Sequence, residues 1–164
     1  MRKGRLLAGS LVALAALWSS CGGSTPGTSA APSTTVADPG AILGEWLLVQ
    51  ALVSGDPYVF PGDSPYLSPD RMPGWVRFDA DGRVAGGAPC NDFGGEYEFD
   101  GSTLSFHDWY QSAVLCAPDI MEAEDVVTEP FRRDSIAVTF RGDSQQTMTW
   151  TWRGGELAWE RITG

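Results

Sequence analysis

The sequence predicts an α+β domain that is mainly antiparallel β, built as a curved sheet or partial barrel with one packed helix. Two observations predict the sheet: apolar residues mostly alternate with polar ones after residue 41, and short glycine-containing turns separate the alternating segments. A third observation is that only one segment has helical spacing. Because one helix cannot cover seven or so strands, we expect the sheet to curve and the helix to plug one opening.

Turn chemistry predicts three hairpins. A three-residue loop with Gly82 in the left-handed conformation closes the first, and two-residue turns at 100–101 (Asp-Gly) and 154–155 (Gly-Gly) close the others. The predicted cross-strand pairs are Phe78 with Val84, Tyr97 with Leu104, Trp152 with Leu157, and Trp150 with Trp159. In each hairpin the apolar side chains share one face.

Two further segments are predicted strands. In 136–141 the residues Ile136, Val138 and Phe140 alternate inward. The segment 45–53 (EWLLVQALV) is apolar on both faces, so we expect a central or doubly covered strand there.

The helix is predicted from Pro118 to about residue 128. Proline suits the first helical position, acidic residues follow in the first turns, and Glu129 precedes a proline that ends the helix. Ile120, Ala123 and Val127 form the apolar stripe.

A long proline-rich loop is predicted at 54–73. Its five prolines recur every four residues, so the PxxP ligand pattern is absent. We expect Tyr58, Phe60 and Tyr66 to pack back on the sheet; contact with a partner is the alternative.

Residues 1–20 predict a lipoprotein signal peptide. A basic start precedes a mostly apolar run at 6–18, which is shorter than the roughly 20 residues that span a bilayer. The run ends in Ser-Ser-Cys, which resembles a bacterial lipobox, so we expect acylation of Cys21. A secreted protein with an unpaired Cys in its tail is the alternative.

Residues 21–40 are small and polar, and they predict a flexible tether with a mean reach of roughly 25 Å. Residues 41–164 remain as one domain, long enough for a single core. We therefore expect an exported protein, anchored through lipid on the extracytoplasmic side of the cell membrane.

The charge of the predicted mature chain is strongly negative. All 21 acidic residues follow the signal and three of the 11 basic residues lie within it, which leaves a net charge of −13. Affinity for nucleic acid comes mainly from basic side chains that neutralise the phosphates. Because the chain is strongly negative, nucleic acid is excluded as a partner. Direct docking on anionic lipid headgroups is disfavoured for the same reason, so the membrane contact is expected through the anchor.

Three roles are considered for Cys90: a nucleophile, a zinc ligand and half of a disulfide. A nucleophile needs a base, and the one histidine, His107, is predicted on the outward face beside Glu96 and Glu98. A zinc site needs about four ligands, which two distant cysteines and one histidine do not supply. A disulfide from Cys90 to Cys116 suits an oxidising compartment once Cys21 is acylated; two buried free thiols are the alternative.

Structural roles are predicted for the other residues of this motif and for the acidic residues of the helix. Asn91 tolerates the left-handed region and bonds nearby backbone groups, and Gly94 and Gly95 allow a bulge or close backbone approach. The acids Glu122, Glu124 and Asp125 are expected to form a solvated helix face. We predict no catalytic, cofactor-binding or metal-ligating residue.

The order of these segments resembles the META domain family, which includes the heat-inducible HslJ-like bacterial lipoprotein. The matching residues are Cys90, Asn91, Phe93, Gly95 and Tyr97, followed by Cys116, Met121 and Glu124. The resemblance covers residues 42 to about 161. It implies a barrel-like antiparallel fold with a packed helix, an envelope role and no catalytic residues.

These observations predict a lipid-anchored, non-enzymatic envelope protein that acts in stress tolerance or envelope assembly, with envelope proteins as candidate partners and no cofactor. The alternative is a carrier that holds a small apolar ligand in the mouth of the partial barrel. A small hydrolase is a weaker third reading, because the base is missing.

Overall fold

The computed structural model describes residues 36–61, 73–142 and 144–162. The predicted signal peptide, Cys21, most of the tether and Tyr66 lie outside the described residues. Among the residues described, no helix is long and apolar enough to cross a membrane.

The described part of the chain contains nine strands, one α-helix and two 3₁₀ turns. The strands are β1 Gly44–Val53, β2 Asp56–Pro57, β3 Trp75–Phe78, β4 Arg83–Gly87, β5 Asp92–Phe99, β6 Thr103–Gln111, β7 Ile136–Arg141, β8 Thr147–Trp152 and β9 Gly155–Arg161. The helix α1 is Pro118–Thr128, and the 3₁₀ turns are Pro39–Ile42 and Glu129–Arg132.

The sheet is antiparallel and closes into a barrel of eight strands, with β2 as a two-residue addition to β1. Strands β3 to β9 pair in chain order, while β1 pairs with β3 on one side and with β9 on the other. The predicted fold class is therefore confirmed. The ring is closed because both edges of β1 are paired, 44–47 with β3 on one edge and 46–53 with β9 on the other.

In the chain, helix α1 follows β6 and precedes β7. These two strands pair at only two positions, Thr103 with Ala137 and Leu104 with Ile136. The helix packs over the barrel end that holds the β4–β5 turn, and Phe131 in the following turn enters the core. Its ring centroid lies 4.5 Å from that of Phe93 and 4.2 Å from that of Phe106.

Inward-pointing side chains fill the barrel. The largest that are almost wholly buried are Trp46, Trp150, Trp159, Phe78, Ile42, Leu48, Leu104, Ile120, Met148 and Leu157. Among the described residues the indole N–H groups of Trp150 and Trp159 find no acceptor. An unmade bond costs about 1–3 kcal/mol, less than the roughly 4–6 kcal/mol expected from burying 150–250 Å² of an indole.

Strand β1 is central, as predicted, but it is not covered on both faces. Trp46, Leu48 and Ala51 point inward, while Val49 is partly exposed. The register against β9 shifts between Leu48 and Gln50. This irregularity inserts one residue, so that inward positions are spaced by two and then by three.

The hairpin at Gly82 is as predicted: Phe78 pairs with Val84, and Gly82 has φ of 82°. The other two predicted registers are wrong by two residues. The observed pairs are Phe99 with Leu104, Tyr97 with Phe106, Trp150 with Leu157, and Met148 with Trp159. A shift of two residues keeps each side chain on its face, so the predicted inward set survives.

The causes of the two shifts are local. Asp100 Oδ1 accepts N–H bonds from Ser102 at 2.9 Å and Thr103 at 2.7 Å, which enlarges the first loop. In the second hairpin the turn residues are Arg153 and Gly154, with Gly154 at φ of 108°.

The predicted helix and the predicted strand at 136–141 are confirmed. Helix α1 has the predicted bounds and stripe, and Ile136 and Val138 are buried in β7 with Phe140 half-buried. In the long loop Tyr58 and Phe60 pack against the core, with ring centroids 5.0 Å apart.

Candidate functional site

A buried carboxylate on α1 organises the covered end of the barrel. Glu124 is 4% exposed, and its Oε2 accepts the backbone N–H groups of Cys90 at 3.0 Å and Asn91 at 2.6 Å. Its Oε1 accepts the side-chain amides of Asn91 at 2.9 Å and Gln111 at 2.6 Å. Burial of a charge is costly unless it is hydrogen-bonded, and four donors meet that need here.

Asn91 is the second centre of this network and is 3% exposed. Its Oδ1 accepts the hydroxyl of Ser112 at 2.9 Å and the N–H of Val114 at 2.7 Å. Its Nδ2 also donates to the carbonyl of Val114 at 3.1 Å. The predicted bonding to backbone is present, but the partner is Val114, 23 residues along the chain, and not a neighbouring residue of the turn. The left-handed reading is wrong, since the non-glycine residues with positive φ in the described chain are Ser54, Asp108 and Gln145.

A disulfide joins Cys90 to Cys116, with Cα atoms 6.2 Å apart, as predicted. It links the β4–β5 turn to the loop that precedes α1. The Glu124–Asn91 network joins these same two segments and the helix. Three separate pieces of chain are therefore held at one end of the barrel by a covalent link and by buried hydrogen bonds.

The prediction that Glu124 lies on a solvated helix face is wrong, although Glu122 and Asp125 are exposed as expected. The physical reason is its position: Glu124 is four residues after Ile120 and three before Val127, which are both buried. Helical spacing of three and four places these residues on one face. That spacing was a signal in the sequence for the side of the helix on which Glu124 lies, but the donors that permit its burial come from other segments.

The arrangement of Cys90 and His107 gives no nucleophile–base pair. The sulfur of Cys90 is bonded to Cys116. His107 is exposed on the outer face, opposite Glu96 in the register, with Nε2 3.9 Å from a carboxylate oxygen of Glu98. The predicted outward position of His107 is confirmed. Within the described ranges no cluster of three or more His, Cys, Asp or Glu residues is placed to hold a metal ion.

The other motif residues have structural roles. Phe93 packs on Phe131, and Gly95 lies where the β5–β6 register shifts, as the bulge prediction requires. The hydroxyl of Tyr97 donates to the carbonyl of Asp79 at 2.9 Å. Burial, followed by the charges of Asp79 and Asp81, raises the pKa of Tyr97.

An apolar groove of about 310 Å³ lies at the helix-covered end of the barrel, between α1 and the β8–β9 turn. Val53, Val126 and Trp152 contribute its apolar surface. Glu122 and Arg153 are among the charged residues around it.

These features define a class of protein: a small closed antiparallel β-barrel, covered at one end by a helix that a disulfide and a buried Glu–Asn network hold in place. The family model of the META domain matches residues 43–161. The chain belongs to the META domain family.

Two solved structures show the same fold. The NMR structure of a protein from Burkholderia xenovorans is 20% identical with a TM-score of 0.58, and the match covers 85% of this chain and 99% of that one. A second NMR structure is 18% identical with a TM-score of 0.53, covering 73% of this chain and 89% of that one. No curated protein matches the chain.

Proposed function

We propose that this protein is a lipid-anchored, non-enzymatic envelope protein whose META barrel acts in stress tolerance or envelope assembly. The observation that carries the proposal is the Cys90–Cys116 disulfide. A disulfide suits an exported domain, and it uses two of the three cysteines. Cys21 is the third, and it follows two serines at the end of an apolar run of the kind found in signal peptides.

The way the chain enters the barrel supports a tethered domain. The N–H of Ala37 donates to the carbonyl of Gly101 in the β5–β6 turn at 3.0 Å. Helix α1 covers the other end of β5, where Cys90 and Asn91 bond to Glu124. The helix-covered end therefore lies opposite the point where the tether joins, and we expect partners to meet the domain at that end.

Membrane fractionation tests the anchor. The variant Cys21→Ala is expected to move to the soluble fraction, because acyl chains contribute about 0.8 kcal/mol per buried CH₂. The double variant Cys90→Ala, Cys116→Ala is the control and is expected to stay with the membrane, since Cys21 is intact. If Cys21→Ala fractionates like the unchanged protein, the anchor proposal fails.

The non-enzymatic part of the proposal has its own test. His107 is exposed and contacts Glu98, so His107→Gln is expected to keep the fold and the phenotype of the unchanged protein. Loss of a measurable turnover in that variant, with the circular dichroism spectrum unchanged, contradicts the proposal.

A carrier of small apolar ligands is the second candidate, and the groove of Val53, Val126 and Trp152 favours it. The interior of the barrel is filled by side chains, so the ligand would lie in this groove at the covered mouth. Saturable quenching of tryptophan fluorescence by an apolar ligand panel is expected for the delipidated domain. Val126→Arg should abolish the quenching. Val49→Arg, elsewhere on the barrel, should leave it unchanged. Equal quenching by both variants would show that the ligand does not bind in the groove.

A further inference from the structure

A trough crosses the outer face of strands β3 to β6. The register places Arg77 opposite Ala85, Ala85 opposite Gly94, and Gly94 opposite Tyr110. Large side chains therefore stand on the two outer strands of this row, and the two inner strands carry a methyl group and a hydrogen. At Gly94 the ring of Tyr110 takes the space that a side chain would fill, so the open part of this row lies at Ala85.

A bulge in β6 places Asp108 beside this trough. Asp108 and Trp109 together face Gly95, and Asp108 has φ of 47°. The bulge turns Trp109 inward onto Phe131 and leaves Asp108 exposed outside. Gly95 has the inward phase of Phe93 and Tyr97, and a Cβ there would lie 2.9 Å from the Cα of Trp109, so Gly95 contributes only backbone to the trough.

The trough has a volume of about 400 Å³, within the range of small-ligand sites. Two guanidinium groups, of Arg77 and Arg83, line it together with three carboxylates, of Asp79, Glu96 and Asp108. Arg77 Nε lies 3.3 Å from Asp79 Oδ1.

This mixture of charges selects the ligand class. Three carboxylates disfavour an anion, two guanidinium groups disfavour a cation, and five charged side chains disfavour an apolar molecule. Guanidinium groups only donate hydrogen bonds and carboxylates only accept them, whereas a hydroxyl does both. A neutral molecule with several hydroxyl groups can therefore hydrogen-bond to the guanidinium groups and to the carboxylates.

Tyr110 adds an apolar surface beside these polar groups. It is 68% exposed, and its ring lies against Gly94, where an added Cβ would be 2.9 Å from Cζ. A flat, exposed aromatic face suits the C–H face of a sugar ring. We propose that the trough binds a neutral saccharide through Tyr110 and the surrounding guanidinium and carboxylate groups; the site does not depend on the lipid anchor.

Titration of the ¹⁵N-labelled, disulfide-bonded domain followed by NMR tests the proposal. The probes are the neutral sugars glucose, N-acetylglucosamine, cellobiose and chitobiose. At least one is expected to cause saturable shifts in the amide signals of Ala85, Gly95 and Tyr110. Inorganic phosphate and putrescine are the charged comparisons and are expected to cause none there.

Glu96 and Glu98 provide a matched pair, because both are exposed on the outward face of β5 and only Glu96 lines the trough. Glu96→Gln is expected to lower the affinity for the bound sugar roughly tenfold, about the size of a lost hydrogen bond to a charged group. Tyr110→Ala is expected to lower it as well, because the aromatic face is lost. Glu98→Gln is expected to bind like the unchanged domain.

Three results would overturn the proposal. One is the absence of saturable shifts with all four sugars in a domain whose spectrum is folded. Another is equal affinity of Glu96→Gln and Glu98→Gln for a sugar that does bind. The third is a saturable response of the trough amides to phosphate or putrescine, since that assigns a charged ligand to the site.

Discussion

At the scale of single residues, Glu124 and Asn91 decide how the covered end of the barrel is built. Every polar partner of the Glu124 carboxylate is an N–H donor, from Cys90, Asn91 and Gln111. Asn91 supplies both donors and acceptors, so it connects the carboxylate to the loop that carries Cys116. Polar networks in an interior specify structure when every member is satisfied, and this network meets that condition.

The first prediction concerns the charge of Glu124. Glu124→Gln replaces one acceptor oxygen by an NH₂ group that faces donors, so the free energy of unfolding should fall by about 1–3 kcal/mol. Glu122→Gln, an exposed change on the same helix, should change it by less than about 0.5 kcal/mol. Urea denaturation measures both; equal effects would show that the network contributes nothing specific.

The second prediction concerns alkaline pH. Burial and neighbouring carboxylates raise the pKa of Tyr97, so the folded state favours the protonated phenol. This contribution is complete below the unfolded value of about 10 and is lost as the pH rises through the folded value. The free energy of unfolding should therefore fall above about pH 10.

A variant at Tyr97 tests this pH prediction. Tyr97→Phe should make the fall less steep, because it removes the phenol whose pKa is raised. Some slope should persist in Tyr97→Phe, because burial also raises the pKa of Tyr58. An identical slope in Tyr97→Phe and the unchanged protein contradicts the assignment.

At the scale of elements, bulges control which side chains face the core. The shift in β1 turns Ala51 inward after Leu48, and the bulge in β6 turns Trp109 inward after Phe106. In both strands a strict alternation of two would point one of these residues outward. The extra residue corrects the phase of the strand and strengthens its twist.

The third prediction compares two adjacent glycines at the β6 bulge. A Cβ on Gly95 would lie 2.9 Å from the His107 carbonyl and from Trp109 Cα, which are backbone atoms; on Gly94 it would meet the ring of exposed Tyr110. Gly95→Ala should thus cost more unfolding free energy than Gly94→Ala, by about 1–3 kcal/mol. Thermal denaturation of both variants measures the difference, and a larger cost for Gly94→Ala contradicts the geometry.

The fourth prediction concerns the disulfide, which closes a loop with a sequence separation of 26. Cys90→Ala with Cys116→Ala should lower the free energy of unfolding by roughly 2–5 kcal/mol, about 3.5 kcal/mol in the chain-entropy view. The fold should persist, because the Glu124–Asn91 hydrogen bonds join the same segments. Denaturation with and without reductant measures this; a variant that is unfolded without denaturant shows that the network alone does not suffice.

At the scale of the whole molecule, closure of the barrel depends on contacts between distant parts of the chain. Strand β1 pairs with β9 from Trp46 with Arg161 to Val53 with Gly155. Arg161 also lies over the ring of Trp46, with Cζ 4.1 Å from the ring centroid. No local segment can therefore complete the core before the last strand is present.

The fifth prediction follows from that closure. A chain ending at Gly154 lacks β9 and with it Leu157 and Trp159, which are fully buried. We expect it to lose cooperative thermal unfolding and the near-ultraviolet circular dichroism of packed tryptophans. A chain ending at Ile162 keeps β9 and should unfold cooperatively; cooperative unfolding of the shorter chain as well would show that closure is dispensable.

The sequence by itself determined the class of fold, the helix bounds and the inward faces. Those features depend on local patterns: alternation along 136–141, proline at 118 and 130, and the stripe of Ile120 and Val127. The Cys90–Cys116 pairing was also predicted, because assigning Cys21 to the lipid anchor leaves only these two of the three cysteines. The inward faces of the hairpins were predicted correctly despite the register errors, since a shift of two residues preserves the side that each residue faces.

Only the tertiary structure decided the closure of the ring, the burial of Glu124 and the outer trough. Each depends on residues far apart in the chain: β1 with β9, Glu124 with Asn91, and Arg77 with Tyr110 across four strands. Local preference is identical for a solvated Glu and a buried one, and the difference comes from donors supplied by other segments. The physical reason is that burial and pairing are non-local, whereas the patterns that sequence reveals are local.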